Sequence, residues 1–187
     1  MGDAFLNSAP LMIAQARLEQ SAIAADVLQE AARWLSERGI PLWQVSEITA
    51  ERFRAPAERG ELYLAWQGDR ATGVMLLQEE DFLFWPDAVE GESLFLHKLA
   101  IRRSVAGQGV ASALISWAVA ETRRRNRRFL RLDCDNTRPS LHSFYQSHGF
   151  TLQGVRDMGS WQAALYQIDN VVGLFTRYDS ELLNRVD

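Results

Sequence analysis

Apolar positions along the chain change their spacing several times, and each change marks a predicted element. Leu11–Arg17 is a short apolar-rich run that predicts a first strand. Beyond it Ile23, Val27, Ala31 and Trp34 or Leu35 recur at helical spacing behind Ser21, a residue suited to an N-cap. Gly39 and Pro41 stop that helix, the glycine by accepting a left-handed cap and the proline by offering no amide hydrogen. Ser46–Ala57 predicts a second, shorter helix. Glu61–Gln67 and Thr72–Gln78 are β-rich runs joined by Gly68-Asp69-Arg70, which is a hairpin signal. Asp81–Glu92 mixes aromatics, acids and Pro86, so it predicts a loop with a partly apolar lining.

The centre of the chain is more regular. Leu94–Ile101 predicts a buried strand, followed by a glycine-containing turn and a helix from Val110 to Arg124. That helix is apolar on most of its circumference, so it needs cover on more than one side. Phe129–Cys134 is the next strand. Pro139 suits the first turn of a further helix that carries Leu141, Phe144 and Tyr145 on one face and ends at Gly149. Phe150 falls where an apolar residue packs back on a Schellman-capped helix end. Two or three strands finish the chain, among Thr151–Asp157, Ala163–Ile168 and Val171–Tyr178. One strand–helix–strand crossover among hairpins gives the α+β class with a mixed, mostly antiparallel sheet. No repeat or linker divides the 187 residues, so one domain over 1–187 is expected.

Composition narrows the function classes. With 47% apolar and 24% charged residues and a formal charge of −4, the chain has no general attraction to nucleic acid or to an anionic membrane. Cys134 is its only cysteine, which removes an internal disulfide framework and suits a reducing, cytoplasmic setting. No run reaches the ~18 apolar residues of a membrane span. Three histidines and one cysteine show no zinc-ligand spacing, so no metal is expected.

The segment with chemistry in it runs from 101 to 112. A strand ends, Gly107 and Gly109 make a turn, and a helix begins. Glycine permits positive φ and lets a ligand approach the backbone. The first amides of a helix have no partner within it, and the dipole adds positive charge there, which together suit a pyrophosphate. Arg102 and Arg103 add mobile positive charge nearby. A dinucleotide-binding fold competes for these residues, since Asp133 ends the next strand where a ribose-binding acid would lie. Ser112 in the third glycine position and the surrounding hairpins count against it.

Taken together, Leu99-Ala100-Ile101 followed by R-R-S-V-A-G-Q-G-V-A-S-A-L-I resembles the acetyl-CoA motif of the GCN5-related N-acetyltransferases, the GNAT superfamily. The later L-R-L-D-C-D and R-P-S-L-H-S-F-Y-Q-S-H-G-F are similar to that family's next strand and helix, with its tyrosine and closing Gly-Phe. Order and spacing agree from about Leu94 to Phe150. Two positions depart from the family pattern: Ala106 stands where Gln or Arg is common, and Arg138 stands where an asparagine often contacts the cofactor, with Asn136 two residues earlier.

The resemblance implies a sheet splayed between the strands ending at Ile101 and near Cys134, with the pantetheine arm in that cleft along the backbone of Leu99, Ala100 and Ile101. It implies cofactor contacts from Ala106, Gly107, Gln108, Gly109, Val110, Ala111 and Ser112, from Asn136 or Arg138, and from Tyr145. It implies direct attack of an amine on the thioester of acetyl-CoA, with Tyr145 as proton donor to the leaving thiolate. A non-catalytic acyl-CoA-binding module is the rival reading. The partners implied are acetyl-CoA and an amine acceptor, small molecule or protein, without nucleic acid or membrane; a homodimer stays open.

His97, two residues before Leu99 on the same strand, is divided between removing the amine's proton and serving as a satisfied, partly buried histidine. His142 and His148 suit surface or capping roles. Arg123–Arg128, a basic run interrupted by Asn126, suits the solvated last turn of a helix, where cations complement the dipole, in preference to a nucleic-acid patch. Phe82, Phe84, Trp85 and Trp161 are divided between core packing and an acceptor pocket. Glu79, Glu80, Asp81, Asp87, Glu90 and Glu92 are divided between a solvated acidic loop and a recognition segment that draws a cationic acceptor.

Overall fold

The computed structural model describes residues 9–170. Seven strands form one sheet: β1 (Leu11–Gln15), β2 (Leu62–Gln67), β3 (Arg70–Gln78), β4 (Ser93–Ile101), β5 (Phe129–Asp135), β6 (Thr151–Asp157) and β7 (Gln162–Asp169). Four helices flank it: α1 (Ser21–Glu37), α2 (Ala50–Glu58), α3 (Val110–Arg124) and α4 (Pro139–Ser147). The spatial order is β1-β2-β3-β4-β5-β7-β6. Every adjacent pair is antiparallel except β4 and β5, which the α3 crossover makes parallel. The α+β expectation holds.

Two apolar layers cover the sheet. One joins Leu94, Leu96, Leu130 and Leu132 to α3 through Leu114, Ile115 and Ala118, with Leu141, Phe144 and Tyr145 of α4 packed against it. The other joins Leu62, Leu64, Val74 and Leu76 to Ala24, Val27 and Leu28 of α1 and Phe53 of α2. β3 lies between these layers, and residues 71–77 are all buried.

Most boundaries follow the sequence expectations. The end of α4 is a Schellman motif: Gly149 has φ 86°, its amide donates to Gln146 O, and the Phe150 amide donates to Tyr145 O. Three expectations need correction. The helix predicted over Ser46–Ala57 is a single 3-10 turn at Val45–Glu47, followed by a break and then α2. The break is held from outside, because Gln29 Nε2 donates to Ile48 O at 2.6 Å while Thr49 is extended. The first strand stops at Gln15, and Arg70 belongs to β3, leaving Gly68-Asp69 as a two-residue turn. The strand expected at Val171–Tyr178 lies outside the described residues.

The basic run is not simply a solvated helix end. Glu121, with only 8% of its side chain exposed, accepts from Arg124 and Arg125. Arg125 also donates to Tyr63 Oη at 2.6 Å, and Arg127 reaches Glu79 at 2.8 Å. Arg128 pairs with Asp169 at 2.9 Å and lies 3.8 Å from Glu92. Two of the acids expected to attract a cationic acceptor, Glu79 and Glu92, are therefore committed to this helix end.

Candidate active site

The turn before α3 is built for an anion. Gly107 and Gly109 have φ 77° and 82°, left-handed values that need glycine here, and a Cβ on either would meet nothing within 4 Å. The first helical bond runs from Ala113 N to Gly109 O, so the amides of Val110, Ala111 and Ser112 lack helical acceptors and point out of the helix end. The turn uses two other amides internally: Ala106 N donates to Arg103 O and Gln108 N to Val105 O, each at 3.2 Å.

The two arginines beside it are not alike. Arg102 is pinned to α1 by Asp26 at 2.6 Å and Glu30 at 2.7 Å, and its Nε donates to Ala71 O. The expectation of mobile charge fails for this residue. Burial raises the Glu30 pKa, but the Arg103 amide and the Arg102 guanidinium outweigh it and hold the carboxylate below its usual range. Arg103 remains exposed, its guanidinium 3.8 Å from the Trp34 ring centroid.

Next to the turn, the sheet opens. The β4–β5 ladder runs from Ser93↔Phe129 to Leu96↔Leu132 and goes no further, although both strands continue. Residues 97–101 and 133–135 therefore diverge around a cleft of about 810 Å³ lined by Leu99, Ala100, Ile101, Arg103, Cys134 and Tyr145. On its other side β4 pairs Val74 with Ala100 and Leu76 with His97, so Lys98 and Leu99 together oppose Met75. This is a β-bulge, and Lys98 carries φ 53°. A left-handed conformation in a non-glycine residue costs on the order of 1–3 kcal/mol and is characteristic of sites where geometry matters. One consequence is local: His97, Lys98 and Leu99 all line the cleft, where regular alternation would turn Lys98 away.

His97 sits between two carboxylates. Nε2 lies 3.4 Å from Asp81 Oδ2 and Nδ1 lies 3.4 Å from Asp133 Oδ1, with side-chain exposures of 16%, 6% and 15% for the three residues. The Phe84 amide donates to Asp81 Oδ1 at 3.0 Å, while Oδ2 is buried without a hydrogen-bond partner. Burial raises the Asp81 pKa above the ordinary carboxylate range. The ligand atoms of this trio lie within 4.8 Å of one another. Each ring nitrogen faces a different acid, so the pattern fits a braced imidazole better than three donors converging on one ion. Asp81 is the one member of the acidic segment brought to His97. Asp133 of β5, which the dinucleotide-fold alternative makes a ribose-binding acid, joins it across the splay.

Tyr145 lines the opposite wall from α4, its ring 5.7 Å from Phe150 and 6.2 Å from Tyr166. Burial pushes its phenol pKa up, with Cys134 and Asp133 adding to the shift. Cys134 is buried, and burial together with Asp133 and Asp135 moves its thiol up to about 12. Arg138 is taken up by structure: it donates to Asp135 at 3.0 Å and to the carbonyls of Ile40 and Pro41, tying the start of α4 to the segment after α1. Asn136 donates to Gln162 Oε1 at 3.2 Å. His142 is less peripheral than its surface or capping expectation, because it lies within 2.6 Å of Tyr166 Oη and 3.0 Å of Asn136 O. His148 caps α4 through Phe144 O. Among the aromatics, Phe84 and Trp161 line the cleft, Trp85 stacks with Arg131 at 4.8 Å, and Phe82 is 72% exposed.

The acetyltransferase (GNAT) family matches residues 23–150 of this chain. The uncharacterized N-acetyltransferase YesJ of Bacillus subtilis is 29% identical over 144 residues, covering 71% of this chain and 77% of YesJ. A GNAT-family acetyltransferase of Listeria monocytogenes superposes with a TM-score of 0.72 at 24% identity, covering 85% of this chain and 94% of its own. The yncA protein of Salmonella typhimurium, solved with its cofactor acetyl-CoA, superposes at 0.66 with 14% identity, covering 86% and 94%. No described helix is long and apolar enough to cross a membrane.

Proposed function

Because the chain belongs to the GNAT family of acetyltransferases, we propose that it moves an acetyl group from acetyl-CoA to a primary amine by direct attack in a ternary complex. The observation that carries this reading is the end of the β4–β5 ladder at Leu96 and Leu132. It opens one cleft that reaches from Arg103, beside the glycine turn, past His97 to Tyr145. The acetyl-CoA held by yncA supports the choice of donor.

The free amides of Val110, Ala111 and Ser112, with Arg103 beside them, form an electropositive cradle for the donor's pyrophosphate. The unpaired side of β4 from His97 to Ile101 offers backbone groups to the pantetheine amides. Acetyl-CoA supplies the activated thioester. Next to the Lys98–Leu99 bulge, backbone polarity stabilises charge developing on the carbonyl oxygen. His97, braced by Asp81 and Asp133, accepts the proton that the amine loses. Tyr145 stays protonated at neutral pH and returns a proton to the departing sulfur. The Cys134 thiol, with its pKa near 12, stays protonated too, which favours direct transfer over an acyl-enzyme on that residue.

The test is release of free CoA thiol from acetyl-CoA in the presence of a panel of amines, with the acetylated product identified by mass. Cys134 is buried, so the protein's own thiol adds little background. Amine-dependent release supports the reading. Acetyl-CoA binding without release for any amine would instead identify a non-catalytic binding module.

A further inference from the structure

Lys98 is the only lysine in a chain with 19 arginines. It occupies the left-handed position of the β4 bulge, beside His97, with its ammonium 5.6 Å from the Trp43 ring centroid. The other cations of the cleft have partners: Arg52 lies 3.9 Å from Glu47, and Arg103 rests on Trp34 beside the glycine turn. Lys98 has no carboxylate within ion-pair distance among the described residues. It is open to solvent, yet the cleft walls withdraw enough water to lower its pKa, which is the condition in which an ammonium gains most from an anionic partner. Trp43, Phe84 and Trp161 line the same cleft.

An amine that reaches His97 comes beside this ammonium, because Lys98 is the next residue of β4 and lines the same cleft. The ammonium disfavours a second cation directly beside it, and Asp133 and Glu47 act on it only from beyond ion-pair distance. A molecule carrying both an amine and a carboxylate is matched, its amine toward His97 and Asp133, its carboxylate on Lys98, and an apolar side chain against the aromatic walls. We propose that the acceptor is a small amino-carboxylate with an apolar side chain, bound through its carboxylate by Lys98. The proposal rests on the acetyltransferase reading and replaces the cationic acceptor suggested by the acidic segment.

The test compares acceptors in pairs: apolar α-, β- and γ-amino acids, each against the amine left when its carboxylate is removed. In the wild type, kcat/KM is expected to favour the amino acid of at least one pair by tenfold or more. Lys98→Met is expected to cut that ratio at least about tenfold, mainly through KM, and Lys98→Arg to restore part of it. A second readout uses the single lysine directly. An N-acetyl amino acid, the product of the favoured pair, should protect Lys98 from an amine-reactive label, and the neutral N-acetyl amine should not. Plain amines outperforming their amino-acid partners in every pair, or a ratio that Lys98→Met leaves unchanged, overturns the carboxylate assignment and leaves the acetyltransferase reading standing. Absence of acetyl-CoA binding by calorimetry overturns both.

Discussion

The Nε2 of His97 faces a carboxylate oxygen of Asp81 at 3.4 Å, and that oxygen is buried without a hydrogen-bond partner. The Phe84 amide holds the other oxygen, but burying a carboxylate with one oxygen unpaired is still costly, so the fold bears a penalty to keep one behind this imidazole. The penalty has a definite pH sense. The folded-state pKa of Asp81 is raised, so its ionised form is disfavoured by folding; the cost is present above that raised value and disappears below about pH 4, where the unfolded chain is protonated too.

Asp81→Asn should therefore separate stability from activity. Thermal stability at pH 7 is expected at or above that of the wild type, with any gain vanishing in acid. Amine-dependent kcat is expected to fall at least about tenfold while acetyl-CoA affinity holds, because the imidazole loses the charge that braces it for proton transfer. Full kcat in this variant would show that Asp81 does not act through His97.

Tyr145→Phe keeps the ring contacts with Phe144, Phe150 and Tyr166 and removes only the hydroxyl. A general acid is worth roughly 10² to 10⁴ in rate, so kcat should drop at least tenfold with thermal stability nearly unchanged. Turnover must be measured where chemistry limits it. Undiminished kcat would assign the residue to packing and the proton to water.

Much of this architecture could be read from local pattern. The glycines at 107 and 109 and the apolar run behind them set α3 at Val110–Arg124, the expected bounds, because turn and helix signals there are local. What escaped depends on distant partners. Arg102 looked mobile because Asp26 and Glu30 lie 76 and 72 residues away in sequence. The break at Ile48–Thr49 is fixed by Gln29, which no periodicity shows. Lys98 was hidden within a continuous apolar strand, since a bulge leaves no mark in the apolar pattern; its one signal was compositional, as the chain's single lysine. Asp81 was one of six similar acids, and only the fold singles it out for His97.

The Glu121 cluster gives a stability prediction away from the cleft. Burial raises the Glu121 pKa, but hydrogen bonds from Arg124 and Arg125 outweigh it and leave the pKa lowered. Its contribution is thus complete above about pH 4.5 and lost as the pH falls through the folded-state value. Glu121→Ala leaves Arg125 without this partner inside the fold; a loss of about 2 kcal/mol is expected, less than for a fully buried pair because Arg124 is largely exposed. For a chain of this size that lowers Tm by roughly 4–8 °C at pH 7. Unfolding curves should show the difference shrinking toward pH 3. A difference that stays constant with pH would contradict the ion-pair account.

The most direct test of the account is calorimetric titration of acetyl-CoA into the wild type, Gly107→Asp and Gly109→Asp. The added Cβ meets nothing within 4 Å, so neighbouring packing is undisturbed, but the positive φ strains any aspartate there, and circular dichroism and thermal melting must first show each variant folded. The aspartate carboxylate would stand where the pyrophosphate is expected, facing the amides of Val110, Ala111 and Ser112. The prediction is one-to-one binding by the wild type and affinity at least about tenfold weaker in both variants, a difference of about 1.4 kcal/mol or more. Equal affinity in all three folded proteins would place acetyl-CoA away from the glycine turn and contradict the proposed site.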